Sequence, residues 1–466
     1  MDKNKVHKIL VVGSGLSSLS FIDTYLQRYK EIDVISFENK KIKITETDNS
    51  HIFKILPPQM IGRKRKVNDY FFFNNIKVLK SCNFFGSLES GGLSNYWGLQ
   101  IDKNIFSDIS YLSKKTQNKI NQCFKEIVKK YNLLGNIDKK VNNSFKKSNY
   151  FDENFTKINK HLKLEEPILA YQKKTKKRLN LKDINEKKDK FVPLNYLNNL
   201  EKKKIIFHNY FVKEIKNYKE NILLICSDGI KDKNFITKKL VLGCGTLITT
   251  KLIMDYLEIK KEVKINHHPR LFSLYFSKKK WKSDMQFEPP HTHLKLKNNP
   301  FLFTADFRPG NKIIVNAITK FKKILKPLKF LINFFREYMV FSNILLESKY
   351  GNLFIKKNNK FFVVFSKQKD LKKIFKNTSK IVYQSLLNAK KILPFCHNYF
   401  PGFGADFHYF GTIPINSRNK LSVNEKCQLR KNKNIYIVDG SVFNFKKNKY
   451  PLGLIIANSR RIGKEI

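Results

Sequence analysis

The strand-turn-helix-strand unit in the first forty residues constrains the fold of this chain more than any other feature. Residues Lys8 to Val12 (Lys-Ile-Leu-Val-Val) are short, β-branched and free of polar alternation, which predicts a strand buried in a parallel sheet. The run ends at Gly13-Ser14-Gly15-Leu16-Ser17-Ser18. Leu19, Ile22, Leu26 and Tyr29 then recur at helical spacing, and a second strand, Ile32 to Phe37, ends at Glu38. In such a turn Gly13 permits the tight bend, and Gly15 lets the backbone approach a pyrophosphate held at the helix N-terminus. Ser18, at the third position, is small enough for the helix to pack on the strand. Glu38 follows by about twenty residues, where a carboxylate accepts from both ribose hydroxyls and repels a 2′-phosphate.

Three later segments add chemistry. Gly91-Gly92-Leu93-Ser94-Asn95-Tyr96-Trp97-Gly98 joins two glycines to hydroxyl and amide side chains, which suits a backbone pressed against a flat ring or a phosphate. A surface turn with a buried Trp is the alternative. Lys239-Leu240-Val241-Leu242-Gly243-Cys244-Gly245 reads as a strand ending in small residues, followed by a helix from about Leu247 to Tyr256; a plain strand end accounts for it equally well when it is read alone. Cys244 reads as a small filler. In the tail, His408 lies in Asp406-Phe407-His408-Tyr409-Phe410-Gly411-Thr412. The aromatic setting shields an imidazole whose ordinary pKa of ~6.5 suits it to accept a hydroxyl proton. A satisfied core histidine is the alternative there.

The 466 residues suffice for two domains or one large domain with insertions, and 41% apolar residues is a globular composition. The net charge of +53 raises nucleic acid or an anionic surface as partners. The lysines, however, are scattered along the chain and come with heavy use of Asn, Ile and Phe, the joint bias of AT-rich coding DNA. No zinc-finger spacing, RNA-binding aromatic signature or basic zipper accompanies them, so no nucleic-acid partner is expected. Six cysteines lie far apart without a CxxC pair, which fits a reducing cytosol and predicts no metal site. The charged N-terminus meets Gly13 too early for a signal-peptide core, and no run of about eighteen apolar residues predicts a spanning helix.

In this order, the four segments resemble the glucose-methanol-choline (GMC) family of flavin oxidoreductases. Val11 to Ser18, with Gly13, Gly15, Leu16 and Ser18, resembles the family's dinucleotide turn, with Glu38 as the ribose acid. Gly91 to Gly98, with Gly91, Gly92, Ser94 and Asn95, resembles its second flavin loop, in a Trp-Gly version similar to that of the sugar-oxidising and polysaccharide-associated branches. Leu242-Gly243-Cys244-Gly245 resembles a strand end usually written Ala-Ala-Gly. Asn209 to Val212 resembles the strand passing the adenine, which makes Val212 the contact. Asn266-His267-His268-Pro269 resembles a segment that is structural in the family. The resemblance implies that His408 is the catalytic base and that Asp439, Gly440, Pro451 and Leu452 contact the flavin. Tyr450 stands where the family places a second His or an Asn, so it becomes the second polar group on the substrate oxygen. The second loop holds no His, which implies non-covalent FAD.

The resemblance thus implies an α/β fold, α+β overall, with a Rossmann-like FAD-binding domain (residues 1–100, 200–269 and 400–466) interleaved with a mixed-sheet substrate or cap domain covered by helices (101–199 and 270–399). It implies oxidation of an alcohol to a carbonyl, with a sugar or sugar derivative in polysaccharide biosynthesis as the first candidate. No motif identifies the electron acceptor. A non-redox flavin-dependent sugar isomerase or mutase is the second reading, and a membrane-associated flavoprotein with a lipid-linked substrate the third. For the third, Phe321, Ile324, Leu325, Leu328, Leu331, Ile332 and Phe335 recur at helical spacing among Lys320, Lys322, Lys323, Lys326 and Lys329. A core-packed helix with a solvated basic face is the simpler account, and Pro327 interrupts it. The expected location is cytoplasmic, with peripheral contact at the inner membrane face as the variant.

Overall fold

The computed structural model describes residues 5–39, 64–80, 82–101, 107–131, 150–165, 169–170, 190–197, 200, 204–281, 292–300, 302–312, 315–316, 319, 326–367, 371–446 and 450–466. The fold is α/β, α+β overall. Its centre is a six-stranded sheet in the order Gln428–Leu429, Asn432–Ile437, Leu240–Leu242, Leu10–Val12, Ile32–Ile35 and Ile205–His208. All neighbours run parallel except the first pair. Leu10, Val11 and Val12 are buried, as a strand covered on both faces requires.

Helices Leu16–Tyr25 and Leu452–Glu465 pack on each other beside this sheet, close enough that a Cβ on Gly463 would meet the Phe21 carbonyl oxygen at 2.5 Å. Ser20 Oγ donates to the Ile456 carbonyl at 2.8 Å, and Thr24 Oγ1 to that of Arg460 at 3.0 Å. Between the helices the buried Asp23 carboxylate receives Arg460 Nη1 at 2.6 Å, Lys130 and the phenols of Tyr131 and Tyr196. The predicted amphipathic helix forms at Lys114–Lys130, capped by the Ser113 hydroxyl, and buries Ile120, Cys123, Phe124, Ile127 and Val128.

A second six-stranded sheet is antiparallel throughout, in the order Ile392–Tyr399, Arg270–Ser277, Met339–Leu346, Phe303–Pro309, Thr292–Leu296 and Leu162–Glu165. Two four-stranded sheets complete the fold. One is a meander with Val6–His7 added in parallel, and the other pairs Ile76–Val78, Phe361–Ser366, Leu353–Asn358 and Val263–Ile265.

The first two predicted strands come out shorter. Val6–His7 leaves the central sheet for the meander, and His7 Nδ1 lies 2.8 Å from the Asp33 carboxylate, which His208 Nε2 meets from the other side at 2.8 Å. The second strand stops at Ile35, because Phe37 turns into an aromatic cluster with Phe73 and Phe211. The Lys- and Asn-rich stretch near 139 to 147, most of that near 173 to 190, and residues 320–325 of the basic apolar segment lie outside the described residues. No helix among the described residues is long and apolar enough to cross a membrane.

Candidate active site

In a parallel sheet, ligands sit beyond the carboxyl ends of the strands. Here the turns after Leu10–Val12, Ile32–Ile35 and Leu240–Leu242 wall one cleft, together with Gly91, Gly92, Ser94, Val212 and Tyr409; its empty space, open mouth included, is about 940 Å³. Gly13 has φ +109°, and a Cβ there would meet the Gly243 carbonyl oxygen at 2.5 Å, so only glycine fits. Ser18 Oγ donates to that same carbonyl at 3.0 Å. Ser18 therefore packs behind the turn and does not line the cleft, which is the role expected of the third position.

Gly15 precedes helix Leu16–Tyr25 with no side-chain cap, which leaves the helix N-terminus to other partners. Leu16 is buried and ties the turn to the second loop, its N–H donating to Ser94 Oγ at 3.2 Å. Gly91 N–H donates to Ser14 Oγ at 3.0 Å, which also lies 2.7 Å from Ser36 Oγ. Asn95 does not line the cleft; its amide donates to the Ser90 carbonyl at 2.8 Å and braces its own loop. Glu38 is partly exposed past the second strand. Its N–H donates to Asn209 Oδ1 at 2.8 Å, so it lies beside the segment that brings Val212 into the cleft wall.

The turn after Leu240–Leu242 is anchored from the tail. Asp439, buried, accepts from Gly245 N–H at 3.0 Å and from Thr249 Oγ1 with one oxygen, and from Ser441 N–H at 3.0 Å and Ser441 Oγ with the other. Burial pushes its carboxyl up, against these four hydrogen bonds. Asp439 thus joins two turns and has no oxygen to spare. Gly440 fits because a Cβ would meet the Tyr409 carbonyl oxygen at 2.9 Å and Ile455 at 3.2 Å. Pro451 begins helix Leu452–Glu465, whose first residue, Leu452, is partly exposed. Cys244 lines the cleft, and burial pushes its thiol up to about 12, so it remains a thiol.

Two observations bear on whether an FAD would fit this cleft. Gly245 has φ +88° and lines the cleft, yet a Cβ on it would meet nothing within 4 Å, so the wall is open where a ligand would approach. The uncapped helix behind Gly15 offers backbone donors of the kind a pyrophosphate takes.

His408 sits next to Tyr409, whose carbonyl accepts from Thr246 Oγ1 at 2.6 Å. His408 Nδ1 lies 3.3 Å from His268 Nδ1. Asp406, fully buried, organises both segments. One oxygen meets His267 Nδ1 at 2.8 Å, and the other accepts the backbone N–H of His268 at 2.8 Å and of His408 at 3.3 Å. Asn352 N–H donates to His267 Nε2 at 3.4 Å, so His267 carries its proton on Nδ1 and gives it to Asp406. Burial raises the Asp406 carboxyl, but attraction and hydrogen bonding from His267 outweigh it and hold the group down to about 2. Burial pushes His408 down to about 3, with repulsion from His268 adding to it and Asp406 opposing. His408 is therefore a neutral imidazole at pH 7. Ligand atoms of His268, Asp406 and His408 lie within 4.8 Å of one another. The hydrogen bonds above already use both carboxylate oxygens, so a positioning network accounts for the cluster and a metal is not needed.

Tyr450 meets His408 edge-on, ring centroids 5.5 Å apart. Its hydroxyl is 2.6 Å from each oxygen of Asp306. His293 Nε2 lies 2.6 Å from Gln100 Oε1 and 3.3 Å from Asp306, and Gln100 Nε2 donates to Asp306 at 3.3 Å. Burial and the Asp306 charge push the Tyr450 phenol well up, so it stays protonated with its proton directed at Asp306.

The structure thus gathers Gly13, Gly15, Gly91, Gly92, Ser94, Val212 and Gly243 around one cleft. It sets His408 against Tyr450 and places Leu16, Ser18, Asn95, Asp439 and Gly440 as supports behind the turns. Sequence reasoning missed His268, Asp306, His293 and Gln100. His268 stood in a segment read as structural, and only its pairing of two adjacent histidines hinted at more.

The parallel sheet with a glycine-walled cleft at its carboxyl edge, joined to an antiparallel sheet, defines an α/β chain of Rossmann-like type. The crystal structure of pyridoxine 4-oxidase from Mesorbium loti superposes on it with a TM-score of 0.63, over 98% of this chain and 99% of that one, at 11% sequence identity. At that identity the two share a fold. No family model matches the sequence, and no curated protein matches it.

Proposed function

We infer that this chain is an FAD-dependent oxidoreductase of GMC type that oxidises an alcohol to a carbonyl. The observation that carries the reading is the placement of His408, edge-on to Tyr450 and one residue from the cleft-lining Tyr409. The shared fold with an oxidase of pyridoxine supports it. Gly13, Gly15, Gly91, Gly92, Ser94, Val212, Gly243 and Gly245 would hold the dinucleotide without a covalent link, with Glu38 at its ribose; when bound, FAD supplies the hydride acceptor. His408 takes the substrate hydroxyl proton. Tyr450, whose O–H rests on Asp306, can turn that O–H to the substrate oxygen, donating to it and orienting it while His408 takes the proton. Asp406 and His268 fix the imidazole. A sugar or sugar-derived alcohol is the first substrate to try. The test is the visible spectrum of the purified protein, then anaerobic mixing with alcohols. Bleaching by substrate alone supports the reading, whereas turnover only after prior reduction turns it to a non-redox isomerase.

Peripheral attachment to an anionic membrane has one observation behind it. On helix Lys329–Phe334 and the turn after it, Phe330 is 83% exposed and Phe334 70%, with Leu328, Leu331 and Phe335 also exposed beside Lys326 and Lys329. Such a face combines apolar insertion with attraction to anionic headgroups. Co-sedimentation with phosphatidylserine vesicles that F330S/F334S abolishes supports it; absence of binding by the parent protein contradicts it.

A further inference from the structure

The antiparallel sheet turns one face toward Tyr450 and His408. Across its ladders Arg270 pairs with Leu345 and Leu345 with Thr304. One step along, Phe272 pairs with Asn343, Asn343 with Asp306 and Asp306 with His293. One step further, Leu274 pairs with Phe341 and Phe341 with Arg308. Paired residues of an antiparallel sheet share a face, so Arg270, Asn343, Asp306, His293 and Arg308 project to the same side. Asp306 on that face holds the Tyr450 hydroxyl.

The two carboxylates near this face, Asp306 and Asp406, are each held by other partners. Asp306 is shared among Tyr450, Gln100 and His293 and has Arg308 Nη2 at 4.0 Å. Arg270, partly exposed, makes no ion pair among the described residues. Its one hydrogen bond runs from Nη2 to the Asp406 carbonyl at 3.2 Å, its Nε is buried with no partner, and its guanidinium carbon lies 5.6 Å from the Phe272 ring. Its charge is felt at both His408 and Tyr450. A guanidinium has five donors in a fork matched to carboxylate and phosphate. Among the described residues Arg270 has no carboxylate within ion-pair distance and leaves most of those donors unused, which suits it to an anion.

We propose that Arg270 docks an anionic group, a carboxylate or a phosphate, carried by the alcohol substrate at a position away from the carbon oxidised. The proposal rests on the alcohol-oxidation reading for the word substrate, while the anion site itself does not. It narrows the substrate class to hydroxy acids, sugar acids and phosphorylated alcohols. Asn343, on the same face and partly exposed, adds an amide for a remaining hydroxyl.

The probes are inorganic phosphate and acetate, and the readout is the thermal unfolding midpoint of the full-length FAD-loaded protein against chloride at matched ionic strength, which separates site binding from the general effect of a highly basic surface. The expected result is a saturable rise with at least one of the two anions, and the anion that gives it tells phosphate from carboxylate. R270Q raises the half-saturating concentration about 10- to 100-fold, the loss of a charge-assisted hydrogen-bond pair, while the surface variant K216Q leaves it unchanged. If R270Q does not fold, R270K, which keeps the charge without the fork, is expected to weaken binding at least threefold. Equal anion stabilisation of the parent and the Arg270 variants overturns the proposal, as does no anion-specific rise in the parent. Anaerobic bleaching is scored in parallel with D-glucose, D-glucuronate and glucose 6-phosphate. An Arg270-dependent anion effect without bleaching leaves the anion site standing and counts against alcohol oxidation. Bleaching by D-glucuronate and glucose 6-phosphate no better than by D-glucose, and equal in R270Q, leaves the oxidoreductase standing and removes Arg270 from substrate docking.

Discussion

His408 and His268 face each other nitrogen to nitrogen, Nδ1 to Nδ1 at 3.3 Å, so one ring donates there and the other accepts. The contact occupies Nδ1 of His408 and leaves its Nε2 for a substrate hydroxyl, and Nε2 can take that proton when His408 Nδ1 is the donor. His268→Ala is expected to lower kcat about tenfold or more with a smaller effect on KM, and His268→Gln, which can still hydrogen-bond, to recover part of the loss. A purely structural role for His268 would leave the kcat of folded variants unchanged.

The acid limb of stability follows from the same cluster. His408 is held at about 3 in the folded chain against ~6.5 unfolded, so the unfolded state takes up the proton first as pH falls, and stability is lost between those values. Asp406, held at about 2 against an ordinary ~3.9, contributes stability present above the unfolded value and lost as pH falls through the folded one. Denaturant unfolding from pH 7 to 4 is expected to show a steeper loss in the parent than in H408Q. Parallel curves would contradict the depressed imidazole.

The Tyr450–Asp306 pair separates chemistry from packing. Tyr450→Phe removes the donor from a buried carboxylate, a cost of about 1–3 kcal/mol. It is also expected to lower turnover about tenfold by releasing the substrate oxygen. Unchanged turnover in a folded variant makes the phenol a packing group.

Asp23 and Arg460 hold together the two helices that pack beside the central sheet. Arg460→Ala removes one of the two cations on the buried Asp23 carboxylate and is expected to cost about 1–3 kcal/mol in denaturant unfolding. A loss well under about 1 kcal/mol would mean that Lys130, Tyr131 and Tyr196 satisfy Asp23 without it.

The cofactor half of the site was legible in the sequence where the chemistry is local. Gly13, Ser18 and Gly243 lie in turns that follow short apolar strands, a mark carried within each turn even though the contact between Ser18 and Gly243 spans 225 residues. The substrate half was not. Tyr450 and Asp306 are 144 residues apart, and Asp306 reaches His293 only through the register of an antiparallel sheet. The strand Arg270–Ser277 concealed its two faces, because its buried positions include Ser273 and Ser277 while Phe272, Leu274 and Phe276 are the partly exposed ones, the reverse of what residue type suggests. Asn95 and Asp439 carry the residue types expected of ligand contacts but spend their hydrogen bonds within the protein, a distinction that needs the fold.

The central claim is that a bound flavin and the His408 imidazole act together on an alcohol. Anaerobic stopped-flow absorbance of His408→Ala against the parent tests it most directly. The expected result is an unchanged flavin spectrum and stoichiometry in the variant, with substrate-driven bleaching slowed at least ~10²-fold. Bleaching of His408→Ala at the parental rate, or a parent protein that binds no flavin, would contradict the account.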